Sequence, residues 1–285
     1  MSLSSYYRFI AHDFWDEYGE EFGQGYGFVD GTPWNILAIT AVYILFVVWI
    51  GPRFMKNRPP YELKTALFYF NIIHILGNGL CSIPAFIITR GTYDCWGSLR
   101  TGDPENPRHR LLLYLSFVYF CAKFLDLFDT VFFILRKKDK QVTFLHVFHH
   151  SVMPFCTYIA LHFAPIGRTS LLGIVNSIVH TVMYTYYFMS SIPSMRRHLW
   201  WKKYLTQMQI VQFVIFFAHS LQGIFLIDRN EFPLFISVLQ LLNSLFFLKS
   251  FTDFFMTTYK KAAVQHKTIA GESLAAAPEE KMKGG

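Results

Sequence analysis

Charge is scarce in this chain. Asp, Glu, Lys and Arg make up only 16% of its 285 residues, against roughly 25% in soluble domains. That leaves too little polar surface to solvate a globule of this length, while 53% apolar content excludes a disordered chain. Cysteine is scarce as well. Cys81, Cys95, Cys121 and Cys156 stand without a CxxC pair, so neither a disulfide scaffold nor a zinc site is supported. No cleavable signal peptide is visible, because residues 1–32 are polar and acidic. No internal repeat is visible either.

What is abundant is aromatic and apolar: 31 Phe, 16 Tyr and 6 Trp, in a chain whose solvent is best read as lipid. Apolar stretches recur at Pro33–Ile50, Ala66–Ile88, Leu111–Leu135, Val142–Phe163, Thr169–Ile192, Tyr204–Ile227 and Phe232–Tyr259. Most reach the ~20 residues needed to cross a bilayer core as helix. The expected fold is an all-α membrane protein with seven transmembrane helices. The fourth and fifth spans are the least secure by hydropathy, being interrupted by polar residues.

Basic residues orient the spans. Alternate connections carry 17 of the 26 Lys and Arg, among them Arg136, Lys138 and Lys202, and the opposite connections carry 7. The richer side is cytosolic, and the N-terminus is luminal or outside. The net charge of +7 then reflects membrane orientation, and no nucleic-acid partner is expected. The domains read as a luminal segment 1–32, a membrane domain 33–260 and a cytosolic tail 261–285. Lys281 and Lys283 in that tail resemble a dilysine signal for retrieval to the endoplasmic reticulum.

Polar residues inside the spans mark the site. The third span contains Lys123, Asp126 and Asp129. Each ionisable group near mid-membrane costs about 2.5–3.5 kcal/mol on insertion scales. Their i, i+3, i+6 spacing makes successive members helical neighbours, and Lys123 can pair with Asp126. The fourth span opens with His146-Val-Phe-His149-His150, three imidazoles within about 100° of arc. The fifth carries Asn176 and His180 on one face, extended by Tyr184 and Tyr187, with Tyr186 off that stripe. His149 lies about 10 Å below the cytosolic end of its span and His180 about 18 Å below its own. Tilt brings these depths together, so both rings can face one cavity.

Clustered histidines suggest a metal first. Di-iron desaturases and hydroxylases need several such boxes, and this chain has one. A single zinc held by the triad is a weak case, so no metal is expected. A metal-dependent membrane lipid oxidoreductase stays as one alternative, and a seven-helix receptor or transporter as another. Neutral imidazole is also a nucleophile and general base, able to take an acyl group from a thioester. Cys121 and Cys156 are rival nucleophiles. Arg136, Lys137, Lys138 and Lys140, with Arg196, Arg197, Lys202 and Lys203, form a basic mouth suited to a phosphorylated cytosolic carrier.

Three blocks now carry a resemblance: Lys123-Phe-Leu-Asp126-Leu-Phe-Asp129-Thr130, Phe144-Leu-His146-Val-Phe-His149-His150, and Asn176-Ser-Ile-Val-His180-Thr-Val-Met-Tyr184-Thr-Tyr186-Tyr187. In this order and spacing they resemble the ELO family of very-long-chain fatty acid elongases, of animal type, over roughly residues 30–260. Gln207-Met-Gln209-Ile-Val-Gln212 adds a fourth block.

The resemblance implies that helices 2–7 form a barrel around an acyl tunnel. It implies condensation of long-chain acyl-CoA with malonyl-CoA to give 3-oxoacyl-CoA, CO2 and CoA, with both thioesters as substrates and no cofactor. It implies His149 as acyl acceptor, His180 as its partner, His146 and His150 completing the site, and Asn176 holding an imidazole tautomer. Lys123, Arg136, Lys138, Gln141, Tyr186, Lys202, Thr206 and Gln209 match positions that contact CoA or the thioester, and Asp126 and Asp129 join that substrate-binding group. Implied partners are the endoplasmic reticulum membrane, the ketoacyl reductase, dehydratase and enoyl reductase of the cycle, and a second copy of the chain.

Two departures stand out. Residues Asp228-Arg229-Asn230-Glu231 offer no Cys to pair with Cys95, and Thr257 replaces a basic residue near the end of the last helix, where Lys260 or Lys261 is the available substitute.

Overall fold

A computed structural model describes residues 32–91, 93–97, 106–228 and 232–260. Of the expected luminal segment 1–32 only residue 32 is described, and the tail 261–285, with Lys281 and Lys283, lies outside the described residues. Among those described there is no strand. Among the described residues there are seven long helical stretches: α1 Trp34–Met55, α2 Lys64–Ile88, α3 Pro107–Leu135, α4 Phe144–Phe163, α5 Arg168–Ser191, α6 Lys202–Phe225 and α7 Leu234–Tyr259. Five of them are long and apolar enough to cross a membrane; α4 and α5 fall outside that set. The reason is chemical: four histidines lower the hydropathy of α4, and Ser, Thr and Tyr lower that of α5. The chain is an all-α, multi-pass membrane protein.

The helix boundaries follow local rules. Asn106 caps α3 by accepting from the Arg108 backbone N–H at 2.9 Å, with Pro107 at the first helical position. Thr143 caps α4 by accepting from the His146 N–H at 3.2 Å. Gly167, at φ +75°, turns the chain from α4 into α5. Within α1, a π-turn over Phe46–Ile50 precedes Pro52, whose ring nitrogen has no proton to donate. Gly51 allows α1 to close on α3, since a Cβ there would stand 3.1 Å from Ile134 Cγ2. α3 is broken at Asp126, which ends the segment Pro107–Leu125 and begins Leu127–Leu135.

α2 shows how lipid shapes the fold. Its exposed stripe is Tyr69, Ile73, Leu76, Leu80, Ile83 and Ile87, while its buried residues are Asn71, His74, Asn78, Cys81, Ser82 and Ala85. The apolar side faces out and the polar side faces in, the reverse of a water-soluble helix. α2 packs along α5 and α3, α6 packs along α7 and α5, and α4 meets α3, α7 and α1. One core joins Ile36 of α1, Phe120 of α3, Tyr158 of α4 and Ile236 of α7. A second joins Tyr43 and Val47 to Leu127 and Ile134.

Candidate active site

The break in α3 places Asp126 where side chains from three helices reach it. Lys123 Nζ donates to Asp126 Oδ2 at 2.9 Å and to Asn176 Oδ1 at 3.0 Å. The Tyr119 hydroxyl donates to the same Asn176 oxygen at 3.0 Å, and the Lys123 ammonium sits 4.7 Å from the Tyr119 ring centre. Tyr184 donates to Asp129 Oδ2 at 2.5 Å and to Asp126 Oδ1 at 3.3 Å. His180 Nδ1 lies 3.8 Å from Asp126 Oδ2, and His74 Nδ1 lies 3.4 Å from Asp126 Oδ1. The charges that were costly in isolation are therefore compensated by one another and by amide and hydroxyl partners.

The three imidazoles of α4 diverge. His146 Nε2 meets Thr130 Oγ1 at 2.9 Å, and Thr130 in turn meets the Tyr43 hydroxyl at 2.7 Å. The His150 ring stands 4.1 Å from that of His146. His149 alone of the three lines a cavity between the helices, its ring 5.1 Å from Phe247 and 5.2 Å from His150. One helix face thus splits: His146 anchors α4 to α3, His150 packs beside it, and His149 reaches open space. Among the described residues, no three His, Cys, Asp or Glu side chains come together as metal ligands would.

The cavity runs inward from His149. On α4 its wall extends from His149 through Met153 and Cys156 to Leu161, about 18 Å of helix. Asn176 and Gly173 of α5, Tyr119 and Leu115 of α3, Gln212 and Phe216 of α6, and Leu239 and Phe247 of α7 close the other sides. Its volume is about 140 Å³, a narrow space with a predominantly apolar wall. His180 does not line it; this ring sits one turn beyond Asn176, within the charged cluster.

The remaining sequence-predicted residues lie away from this wall, at the end of the bundle that carries the basic loops. Arg136 is half-buried, and Lys138, Gln141 and Lys202 are exposed. Tyr186 packs edge-on against Trp201 at 5.0 Å, Thr206 is buried, and Gln209 Nε2 approaches Met183 Sδ at 3.7 Å.

His74 escaped the sequence reading. The signal was present as Asn71, His74 and Asn78 on one face of the second span, but no second imidazole lies nearby in sequence to draw the eye. A second unforeseen cluster closes the opposite end. Arg168 donates to the Trp96 carbonyl at 3.1 Å, to Gln222 Oε1 at 3.2 Å and to the His219 carbonyl at 2.8 Å. His219 Nε2 meets the Cys95 carbonyl at 3.0 Å, and Gln240 meets His219 Nδ1 at 3.0 Å. This bolts the connection between α2 and α3 to α5, α6 and α7. Cys95 is completely buried there as a free thiol, and burial pushes that thiol up to about 11.

The sequence profile of the GNS1/SUR4 (ELO) family matches residues 28–267. The chain belongs to the ELO family. Among the similar proteins, human very long chain fatty acid elongase 1 is 36% identical over 246 residues, covering 84% of this chain and 85% of the relative. Rat very long chain fatty acid elongase 7 is 35% identical over 246 residues, covering 81% and 83%. Very long chain fatty acid elongase F of Drosophila simulans is 41% identical over 199 residues, covering 67% and 74%. The ELO match spans all seven helices and every described residue of the charged cluster.

Proposed function

We propose that this ELO-family protein is the condensing enzyme of very-long-chain fatty acid elongation, joining a long-chain acyl-CoA and malonyl-CoA in the endoplasmic reticulum membrane. The observation that carries the reading is His149 on the wall of a narrow apolar cavity, beside Asn176 and the buried Lys123–Asp126 pair. The acyl chain occupies the cavity and its thioester stops at the imidazole. The helix contacts support a closed circuit α2–α3–α4–α7–α6–α5 around that space, with all seven helices crossing the bilayer. The basic connections then face the cytosol and receive the CoA phosphates, with Arg136, Lys138 and Lys202 among them.

The chemistry follows from the groups available. An imidazole nitrogen of His149 attacks the thioester carbonyl carbon. The C–S bond breaks, CoA leaves as thiolate and takes up the imidazole proton, and an acyl-imidazole remains. Malonyl-CoA then loses CO2, leaving its electron pair on the α-carbon as an enolate. That carbon bonds the acyl carbon, the C–N bond breaks, and His149 regains a proton from the medium. The product is a 3-oxoacyl-CoA two carbons longer. Asn176 has its oxygen engaged by Lys123 and Tyr119, so its amide nitrogen is the donor left for the developing oxyanion or for an imidazole. The 3-oxo group is next consumed by a reductase, then a dehydratase and an enoyl reductase.

Purified protein in lipid nanodiscs, given long-chain acyl-CoA and carboxyl-labelled malonyl-CoA, is expected to release labelled CO2 and form a 3-oxo product two carbons longer. Absence of both with every chain from about C16 to C24 would overturn the reading.

A further inference from the structure

We infer that His74 is a positioning residue for His180, acting through the carboxylate of Asp126. The inference rests on the reading of this site as the condensing centre. A carboxylate offers about four lone-pair sites. Asp126 has four side-chain partners, two on each oxygen: Lys123 and His180 at Oδ2, His74 and Tyr184 at Oδ1. Three of these lie at 2.9–3.4 Å, and the His180 Nδ1 contact is the long one at 3.8 Å. The carboxylate plane is therefore set by Lys123, Tyr184 and His74, and His180 reads that plane.

The two imidazoles present the same atom to opposite oxygens, Nδ1 in each case. His180 Nδ1 has no hydrogen-bond partner within 3.5 Å, so Asp126 is the group placed to receive its proton. With the proton on Nδ1, Nε2 keeps its lone pair. Should the Oδ1 side lose a donor, the carboxylate is free to rotate and His180 loses the partner that selects this tautomer.

His74 is built for that task and for no direct contact with substrate. It is 2% exposed and does not line the cavity. Its ring stacks on Tyr184 with centres 4.1 Å apart and planes 19° from parallel, which fixes its orientation. Asn78 donates to its backbone carbonyl at 2.8 Å. Its Nε2 is buried without a partner, so Nδ1 is the atom that carries its polar contact.

Three variants of the full-length protein separate positioning from packing. His74→Phe keeps a ring against Tyr184 and loses the donor. His74→Asn places an amide nitrogen where Nδ1 was, and His74→Gln places one where Nε2 was. The expected result is a kcat at least tenfold lower in the Phe and Gln variants, KM for acyl-CoA within twofold, and an Asn variant within threefold of the parent. Wild-type kcat in His74→Phe, or equal rescue by Gln and Asn, would overturn the inference while leaving the condensing reading intact. 15N-histidine spectra, with His180 assigned from a His180 variant, supply a readout independent of turnover. The Nδ1-protonated form is expected to dominate in the parent and in His74→Asn, and to become mixed in His74→Gln. An identical His180 tautomer in all folded variants would overturn the inference even in a protein that condenses nothing.

Discussion

Lys123 and Asp126 form an ion pair of 2.9 Å between side chains that are both almost wholly buried, 1% and 3% exposed. Removing one partner strands a charge in a medium that cannot solvate it, at a cost of about 3–5 kcal/mol. Lys123→Met and Asp126→Leu are each expected to lower the midpoint of thermal unfolding sharply in detergent. The double variant should fall by less than the sum of the two. Additive losses would show that the pair is not coupled.

Asn176 offers a cleaner test of chemistry than of stability. Asn176→Asp keeps oxygens for the Lys123 ammonium and the Tyr119 hydroxyl and removes the amide donor. It is expected to fold and to lose about 10²–10³-fold in kcat, the range seen when an oxyanion donor is removed. Full turnover in that variant would exclude the donor role.

Much of this arrangement was legible in the chain. The boundaries of α2 and α7 matched the apolar runs within a few residues, because lipid exposure demands apolar surface along the whole length of a crossing helix. The pairing of Lys123 with Asp126 followed from i, i+3 spacing. The split of His146 and His150 away from His149 did not, because it depends on where α3 breaks. That break lies in a run, Leu125-Asp126-Leu127, with neither Pro nor Gly to announce it. His74 and the Arg168 cluster were hidden for a related reason. Their meaning comes from partners 52 and 51 positions away in sequence, Asp126 and His219.

The far-end bolt makes its own prediction. A Cβ on Gly223 would stand 2.5 Å from Ser237 Oγ and 3.1 Å from Arg168 Nη2. Gly223→Ala is expected to destabilise the fold by about 1–3 kcal/mol through overpacking. Adding Ser237→Ala removes the closest clash and should recover part of the loss in a thermal unfolding assay. No recovery would mean that the strain lies elsewhere.

The Cys95 thiol, raised to about 11 by burial, holds less thiolate at any given pH than an ordinary cysteine. Maleimide labelling of Cys95 in the folded protein should stay slow between pH 7 and 9 and accelerate on unfolding, as read by mass spectrometry of the tryptic peptide. Rapid labelling at pH 7 in the folded state would contradict the packing of Trp96, Arg168 and His219 around it.

The most direct test of the central claim is to incubate the protein with a long-chain acyl-CoA in the absence of malonyl-CoA, quench rapidly, and map any adduct by peptide mass. The expected result is one acyl group on His149, discharged when malonyl-CoA is added and absent from His149→Ala, which should also lose turnover. An acyl group found on Cys156 instead, or a His149→Ala protein that still condenses at the parent rate, would contradict it.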